Sequence, residues 1–187
     1  MGDTRRQILA VALQLFSENG YFNTSVHDIK RAAGLSIGAI YHHFSGKESI
    51  AQALHELLVE RMSALLEERV AAAATVCERS RWIVADLFAL AETEPTVMRF
   101  ILHARHQEFL PDAPPICSTR PFQLLLKLVE EGMGTGEVRA LEPTVGAAAL
   151  FGGALRLIHL HLDGMLPAPL ASYLDDCCDC GWRAVAA

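Results

Sequence analysis

The sequence predicts an all-α protein built from about nine helices. Apolar residues recur at helical spacing along almost the whole chain, and no segment shows a convincing strand alternation. Capping residues precede several of these segments. Gly- and Pro-rich breaks separate them at intervals that suit a helical protein. The chain of 187 residues is long enough to bury a sizeable core.

The first four helices are predicted from caps and apolar stripes. Thr4 with Gln7 resembles a capping box, and an apolar stripe then runs to Phe16, before Asn19-Gly20. Ser25 with Asp28 opens a second helix, which ends at Gly34. Ser36 caps a short third helix over 37–44, whose core face is Ile40, Tyr41 and Phe44. Ser45 with Glu48 opens a long helix that reaches residue 73.

Five further helices complete the prediction. The segment 95–109 begins at a Pro and ends before the Pro-rich break at 111–115. The segment 119–131 ends at the glycines at 132, 134 and 136. The predicted bounds are 79–92, 95–109, 119–131, 143–163 and 168–182.

Composition excludes several classes of protein. The longest uncharged apolar stretch, Val145 to Leu155, is shorter than the roughly 18 residues of a membrane span. The first twenty residues lack the apolar core of a secretory signal. Five cysteines, an odd number, do not form a disulfide framework, so we expect a reduced, cytoplasmic chain. The net charge is −6, so charge alone does not indicate nucleic-acid binding.

Two short helices joined by a Gly-containing turn form a helix-turn-helix pattern at residues 26–44. Gly34 supplies the turn, and the apolar residues Ile29, Ala33, Leu35 and Ile40 fix the angle between the two helices. In this arrangement the second helix can lie in the major groove of DNA. By spacing alone, any two packed short helices would look similar.

Residues 4–50 resemble the DNA-binding domain of TetR-family transcriptional regulators. The matching residues run from Gly20 to Val26, then Ile29, 32–36, 38–44 and Lys47-Glu48, in the family's order and spacing. The resemblance implies a DNA-binding domain at 1–48 and a ligand-binding and dimerisation domain at 49–187. It implies a homodimeric, ligand-responsive repressor that a small molecule releases from a palindromic operator.

The resemblance also assigns DNA contacts residue by residue. Ser25, together with Thr24, would hold a phosphate, as would the Tyr41 hydroxyl and Lys47. Gly38 would let the backbone approach the DNA closely, and one of the two histidines would donate to the backbone or a base. The DNA-contacting set is Thr24, Ser25, Ser36, Ile37, Gly38, Ala39, Tyr41, His42, His43 and Lys47.

The recognition helix lacks the side chains that read bases most directly. It offers Ile37 and Ala39 where an Arg, Lys or Asn could form two hydrogen bonds with a purine. We therefore expect contacts to thymine methyl groups, a contribution from His42, and readout of DNA shape. Few basic residues lie nearby, which predicts a modest salt dependence.

The helix over 143–163 is apolar on nearly all sides and rich in small residues, so we expect it to be buried against a second copy. The last helix would be its companion in a four-helix interface, although burial within one monomer is the alternative. A dimer would place two recognition helices about 34 Å apart on a palindrome. The predicted interface is Ala148, Phe151, Gly152, Leu155, His159, Leu170 and Leu174.

The resemblance places a ligand pocket between the middle helices. Aromatic residues, Met98 and a polar helical face are candidates for its wall, and core packing or a solvated face is the alternative for each. The candidate set is Trp82, Phe88, Met98, Arg99, His103, His106 and Phe122. No cofactor other than an unidentified small-molecule effector is predicted, and no membrane partner.

Three other functions are weighed. Cys177, Cys178 and Cys180 could sense a metal or an oxidant, but their spacing is not that of a zinc site. A protein that kept the scaffold for a partner other than DNA would also explain Ile37 and Ala39. No catalytic or phosphate-loop motif is present, so no enzyme and no catalytic or metal residues are predicted.

Overall fold

A computed structural model describes residues 2–103, 109–110 and 119–187 of the chain. These residues contain nine α helices, one 3₁₀ turn (Leu170–Tyr173) and no strand, which confirms the all-α prediction. The helices are α1 (Asp3–Asn19), α2 (Val26–Ala33), α3 (Ile37–His43), α4 (Lys47–Val70), α5 (Val76–Thr93), α6 (Pro95–His103), α7 (Arg120–Thr135), α8 (Pro143–Leu162) and α9 (Leu174–Val185).

The described residues form two compact units. The first unit lies within 1–59 and 96–115, and the second within 60–95 and 116–187. Helix α4 is uninterrupted and contributes residues to both units. The predicted functional boundary after residue 48 stays a prediction.

The core of the first unit forms where α1, α2, α3 and the start of α4 meet. Ile8, Ile29, Ile40 and Ile50 are fully buried there, one from each helix. Since each comes from the apolar stripe of its own helix, periodicity alone identifies this core.

Two capping boxes predicted in the first unit are wrong. Helix α1 begins at Asp3 after Gly2, so Thr4 lies inside the helix, and Gln7 donates to the Ala33 carbonyl at 2.8 Å rather than to its own helix end. At the start of α4, the Ser49 hydroxyl accepts a hydrogen bond from the backbone of Gly46. A tertiary partner thus replaces the predicted capping contact at α1, and a neighbouring hydroxyl replaces it at α4.

The predicted bounds of α4 and α5 also need correction. Helix α4 ends at Val70, three residues before the predicted end, and α5 begins at Val76, three residues before the predicted start. The start of α5 is set by a complete capping box between Thr75 and Glu78. This box is visible in the sequence. Because α5 starts earlier than predicted, Arg79 lies inside the helix, where it is buried and donates to Glu131 and to the carbonyl of Val70.

Helix α7 ends four residues later than the predicted end at residue 131. It continues through Gly132 and ends at Thr135, where Gly136, one of the three predicted glycines, caps it with a left-handed φ of +80°. A Cβ at Gly132 would lie 2.6 Å from Val138 Cγ2, so this glycine provides close packing within the helix. The glycine that ends the helix is thus the one with positive φ.

Helices α8 and α9 pack closely in the second unit. A Cβ at Gly181 would lie 2.9 Å from the Leu150 carbonyl oxygen, so only glycine fits this contact. The last helix begins at Leu174, after the 3₁₀ turn, rather than at residue 168 as predicted. Helix α9 therefore supports α8 along one side.

Candidate nucleic-acid interface

Helices α2 and α3 form the predicted helix-turn-helix. Gly34 ends α2 with a φ of 65°, and the amide of Leu35 donates back to the Lys30 carbonyl at 3.1 Å. Ile29 of α2 and Ile40 of α3 are fully buried between the helices and the rest of the unit. These contacts hold α3 at a fixed angle, which a reading helix needs.

The N-terminal half of α3 carries only small or partly buried side chains and presents little bulk to solvent. Ser36 caps the helix by accepting from the Ala39 amide at 3.1 Å. Gly38 is exposed, and a Cβ there would meet only the Ser36 hydroxyl, at 3.9 Å. Ile37 and Ala39 are partly exposed. The surface can therefore approach another molecule closely, but it offers few hydrogen-bond donors.

The C-terminal half of α3 carries three larger side chains. Tyr41 is 54% exposed, so the expectation that its ring packs into the core is wrong. Ile40 and Phe44 fill the core side, and Tyr41 lies on the next position around the helix. The rings of His42 and His43 meet edge to face at 4.9 Å, with His42 exposed.

A cavity of about 420 Å³ opens beside Tyr41. It brings together the start of α2, the end of α3 and the start of α4, which are separate in sequence. Its lining residues are Phe22, Asn23, Thr24, Ser25, Val26, Tyr41, Gly46, Lys47 and Glu48. All four predicted phosphate contacts, Thr24, Ser25, Tyr41 and Lys47, therefore line one concave surface, which we call the α2–α4 cavity.

Lys47 is held in this cavity by Tyr21. Its ammonium donates to the Tyr21 carbonyl at 2.9 Å and lies 4.1 Å from the centroid of the Tyr21 ring. The Tyr21 hydroxyl donates to Glu48 at 3.2 Å. Burial, with the adjacent Glu48 carboxylate, raises the pKa of Tyr21 to about 12, so its hydroxyl stays protonated. The carbonyl uses one of three ammonium donors, which leaves donor capacity for an anion.

Ser25 is fully engaged by the capping box that the sequence predicts. Its hydroxyl donates to the Asp28 carboxylate at 2.6 Å and accepts from the Asp28 amide at 3.2 Å. Hydrogen bonds from Ser25 lower the pKa of Asp28, which also pairs with Arg31. A negative charge therefore lies beside the hydroxyl that was expected to hold a phosphate.

Thr24 lines the α2–α4 cavity but is almost entirely buried. Its side chain is only 2% exposed, and its hydroxyl lies within hydrogen-bond distance of the carbonyls of Gly20 and Leu15. The predicted phosphate contact through this hydroxyl is therefore wrong. Thr24 closes the loop between α1 and α2, because a buried hydroxyl must satisfy its hydrogen bond internally.

Sequence reasoning missed Phe22 and Glu48 as parts of this surface. Phe22 is 65% exposed and lies at the cavity although it is strongly apolar. Glu48 was expected to cap α4, but it accepts from Tyr21 instead. An aromatic residue in the turn before the Ser25 cap is the one local feature of the sequence that could have indicated an exposed Phe22. The contact of Glu48 with Tyr21 is revealed only by the fold.

The predicted dimer face of α8 is open in the single chain. Ala148, Gly152, Leu155 and His159 follow heptad-like spacing, and none is buried. A Cβ at Gly152 would meet no atom within 4 Å. Fewer than half of the residues of this strongly apolar helix are buried. By length and composition it could cross a membrane, but core helices of soluble proteins pass the same test.

Two residues of the predicted dimer face are buried inside the chain. Phe151 is 2% exposed and Leu170 is fully buried, so both are core residues and correct the prediction. Phe151 thus lies on the buried side of α8, and Leu170 lies in the 3₁₀ turn rather than on α8. Leu174 is partly exposed.

The predicted ligand pocket stays a prediction. Phe88 and Met98 are buried, one in each unit. Trp82 lines a cavity of about 150 Å³ with the Arg69–Asp86 ion pair, and Phe122 is partly exposed on α7. Arg99 is exposed on α6. His106 and the side chain of His103 lie outside the described residues.

Two of the three cysteines of α9 lie in surroundings that favour the thiol over the thiolate. Burial raises the pKa of Cys177, and it raises the pKa of Cys178 to about 11. Cys180 is exposed. Within the described part of the chain, no three His, Cys, Asp or Glu residues are grouped to hold a metal ion.

Comparison with known proteins places the helix-turn-helix in a family. Residues 8–54 match the family of bacterial regulatory proteins described as the tetR family, so the resemblance is confirmed over this domain. The transcriptional regulator AcrR of Shigella flexneri is 47% identical over 55 residues, or 29% of this chain and 26% of that protein. The chain thus spans about a quarter of the length of this curated relative.

Solved structures extend the likeness to the whole fold. A TetR-family regulator from Marinobacter aquaeolei covers 98% of this chain and 95% of its own, with a TM-score of 0.82 and 20% identity. The regulator FadR from Bacillus subtilis, solved in complex with stearoyl-CoA, covers 93% and 95%, with a TM-score of 0.74 and 20% identity. At this identity, the likeness establishes the fold alone.

Proposed function

We propose, from the premise that residues 8–54 form a TetR-family domain, that this chain is a cytoplasmic, sequence-specific DNA-binding regulator of transcription. It acts as a homodimeric repressor that a small molecule releases from a palindromic operator. The observation that carries the proposal is the shared position of Tyr41, Lys47 and the start of α2 in one concave surface beside α3.

This surface suits a phosphate of the DNA backbone. The Lys47 ammonium is anchored by Tyr21 and retains donors, and Tyr41 presents a phenol hydroxyl at the same cavity. A lysine fixed before binding loses less side-chain entropy when it pairs with a phosphate. One phosphate held here would set the register of α3 in the adjacent groove.

The capping box changes how Ser25 takes part. Because its hydroxyl and its amide both pair with Asp28, Ser25 contacts a phosphate only if this pairing loosens. The Asp28 carboxylate repels the same phosphate, partly offset by Arg31. We therefore assign the main phosphate contacts to Lys47 and Tyr41.

Base reading by α3 rests on apolar contacts and shape. Ile37 and Ala39 can contact thymine methyl groups, and Gly38 allows a close backbone approach. His42 is also exposed on this helix and can donate a hydrogen bond to a base. Specificity then depends on DNA shape and on two half-sites read together.

The open stripe on α8 is the proposed dimer interface. Gly152 allows close approach of a second helix, and Ala148, Leu155 and His159 flank it on the same face. A long apolar helix with an exposed face gains free energy by burying that face against its symmetry-related copy. A two-fold axis there would pair two reading helices on a palindrome.

The effector is proposed to act through α4, which has residues in both units. A ligand that binds one conformation more tightly would shift the population of DNA-competent dimers by that difference in affinity. Since FadR from Bacillus subtilis was solved with stearoyl-CoA, a long-chain acyl-CoA is the first compound to test.

Two alternatives have weaker support. A thiol-sensing regulator needs a reactive thiolate, whereas burial raises the pKa of Cys177 and Cys178. If the helix-turn-helix instead served to bind a partner other than DNA, the grouping of Lys47 and Tyr41 at one cavity would have no assigned role. We propose no enzymatic activity, since the matched relative is named as a regulator.

Selection of a randomised duplex library by the purified protein at about 0.15 M salt tests the proposal. Enrichment of a palindrome whose half-site centres are about 10 bp apart, or a multiple of that, is expected for a two-fold dimer. No enrichment by a folded dimer would contradict sequence-specific DNA binding. Equal affinity for the selected duplex with and without a compound that binds the protein would contradict release by that compound.

A further inference from the structure

We infer that Phe22 is a DNA-contacting residue, which packs its ring against the deoxyribose next to the phosphate held by Lys47 and Tyr41. This inference rests on the proposed function and adds an apolar contact to a surface so far described by its polar groups.

The exposure of Phe22 is unusual in its context. Three aromatic side chains among the described residues are exposed, namely Phe22, Tyr41 and Trp82. Two of these three, Phe22 and Tyr41, line the α2–α4 cavity. Single exposed apolar residues are ordinary, but two large rings on one concave surface indicate a binding surface.

The ring of Phe22 is held in place by buried aromatic residues. Its centroid lies 5.3 Å from that of Tyr21 at 85° and 6.4 Å from that of Phe109 at 87°, both edge-to-face contacts. Tyr21 and Phe109 stack on each other at 4.1 Å and are mostly buried. The exposed ring therefore has a defined orientation before any partner binds, which lowers the entropy lost on binding.

The neighbours of Phe22 identify the partner as a nucleic-acid backbone. The cavity combines two rings with the anchored Lys47 ammonium. A DNA backbone presents the matching sequence of groups, a phosphate anion followed by the C–H face of a deoxyribose. The Glu48 carboxylate at the same cavity accepts from the Tyr21 hydroxyl, and a protein partner would need an anion and an apolar group at the same spacing. The continuity with Lys47 and Tyr41 therefore favours DNA.

This geometry has a consequence for salt dependence that separates the roles of the two residues. A lysine that pairs with a phosphate releases a counterion, so it contributes to the slope of affinity against salt concentration. An apolar contact releases none, so it changes affinity without changing the slope. Phe22 should thus stabilise the complex by a similar factor at every salt concentration.

The test is the affinity of the full-length protein for a labelled mixed-sequence duplex of about 30 bp, measured by fluorescence anisotropy from about 0.05 to 0.2 M salt. We expect Phe22→Ala to weaken binding about three- to tenfold at each concentration with an unchanged slope. Phe22→Tyr, which keeps the ring, should restore the affinity. Lys47→Gln should lower the slope by about one.

Met165→Ala is the matched control, because Met165 is exposed to the same degree as Phe22 but belongs to the second unit. It should bind the duplex as the unchanged protein does. If Phe22→Ala lowers the melting temperature, Phe22→Leu replaces it, since leucine keeps apolar bulk without the flat ring.

Two results would overturn the inference. The first is an affinity of Phe22→Ala equal to that of the unchanged protein, which would remove Phe22 from the interface. The second is a loss of slope equal to that of Lys47→Gln, which would show that Phe22 acts only by positioning Lys47. A failure of the unchanged protein to bind any duplex would instead refute the proposed function itself.

Discussion

The Lys47 ammonium lies over the Tyr21 ring, 4.1 Å from its centroid, and donates to the carbonyl of the same residue at 2.9 Å. One residue near the start of the α1–α2 loop therefore fixes the cation at the start of α4. Tyr21 in turn stacks on Phe109. The position of the main proposed phosphate contact thus depends on aromatic packing inside the first unit.

Replacing Lys47 tests this contact. Lys47→Gln should weaken duplex binding about three- to tenfold at about 0.15 M salt and lower the salt slope by about one, because one phosphate loses its cation. Lys127→Gln, at an exposed lysine of α7, removes the same charge and should change neither quantity. Equal effects of the two substitutions in salt-dependent anisotropy would contradict the assignment.

Removing the Asp28 charge should strengthen DNA binding. Asp28→Asn keeps an acceptor for the Ser25 amide but removes the carboxylate beside the phosphate position, so we expect about two- to fivefold tighter binding. Asp176→Asn, at an exposed residue of α9, changes the net charge equally and is the control. Anisotropy titrations compare the two, and tighter binding by both would indicate a general charge effect.

The same substitution affects stability in a defined pH range. Hydrogen bonds with Ser25 lower the pKa of Asp28, so the carboxylate stabilises the fold above its unfolded pKa. That contribution is lost as the pH falls through the lowered folded-state pKa. The melting temperature of Asp28→Asn should therefore approach that of the unchanged protein in acid.

Gly38 tests the close approach of α3 to DNA. A side chain at this exposed position meets only the Ser36 hydroxyl, so Gly38→Leu should fold normally and slightly favour the helix. It should nevertheless weaken operator binding by more than about 2 kcal/mol, roughly thirtyfold, because the bulk separates the helix from the groove. Gly134→Leu, at an equally open helical glycine, is the control. Unchanged binding by Gly38→Leu, with an unchanged melting curve, would exclude α3 as the reading helix.

Gly152 tests the dimer interface. Since a Cβ there meets no atom of its own chain, Gly152→Glu should leave the protomer folded. A carboxylate on each side of a two-fold interface should raise the dimer dissociation constant by about a hundredfold or more, measured by sedimentation equilibrium. Gly134→Glu should remain dimeric. A dimer unaffected by Gly152→Glu would place the interface elsewhere.

The thiols test the redox alternative. With a pKa of about 11, Cys178 is almost wholly protonated near neutral pH, so alkylation should be slow and should accelerate as the pH rises toward that value. The exposed Cys180 should be modified first, as followed by peptide mass spectrometry. Rapid modification of Cys178 near neutral pH, together with loss of DNA binding, would support thiol sensing.

Periodicity and capping predicted the helical content well where the interactions are local. The apolar stripes of α1 to α4 identify Ile8, Ile29, Ile40 and Ile50 as core, and Ser25 with Asp28 forms the expected box. These predictions succeed because helix formation and capping depend on residues three or four positions apart. The reading helix and its Gly34 turn follow from the same local pattern.

The proposed DNA-binding surface was only partly predictable from the sequence. Sequence alone determined the all-α class and the helix-turn-helix, which follow from local spacing, and the family resemblance singled out Tyr41 and Lys47 as phosphate contacts while local spacing wrongly placed the Tyr41 ring in the core. Tertiary structure alone decided that Thr24 is buried, that Glu48 accepts a hydrogen bond from Tyr21, and that Phe22 shares a cavity with Lys47. The physical reason is that exposure and hydrogen-bond partnership depend on which distant segments meet, and no local spacing encodes that meeting.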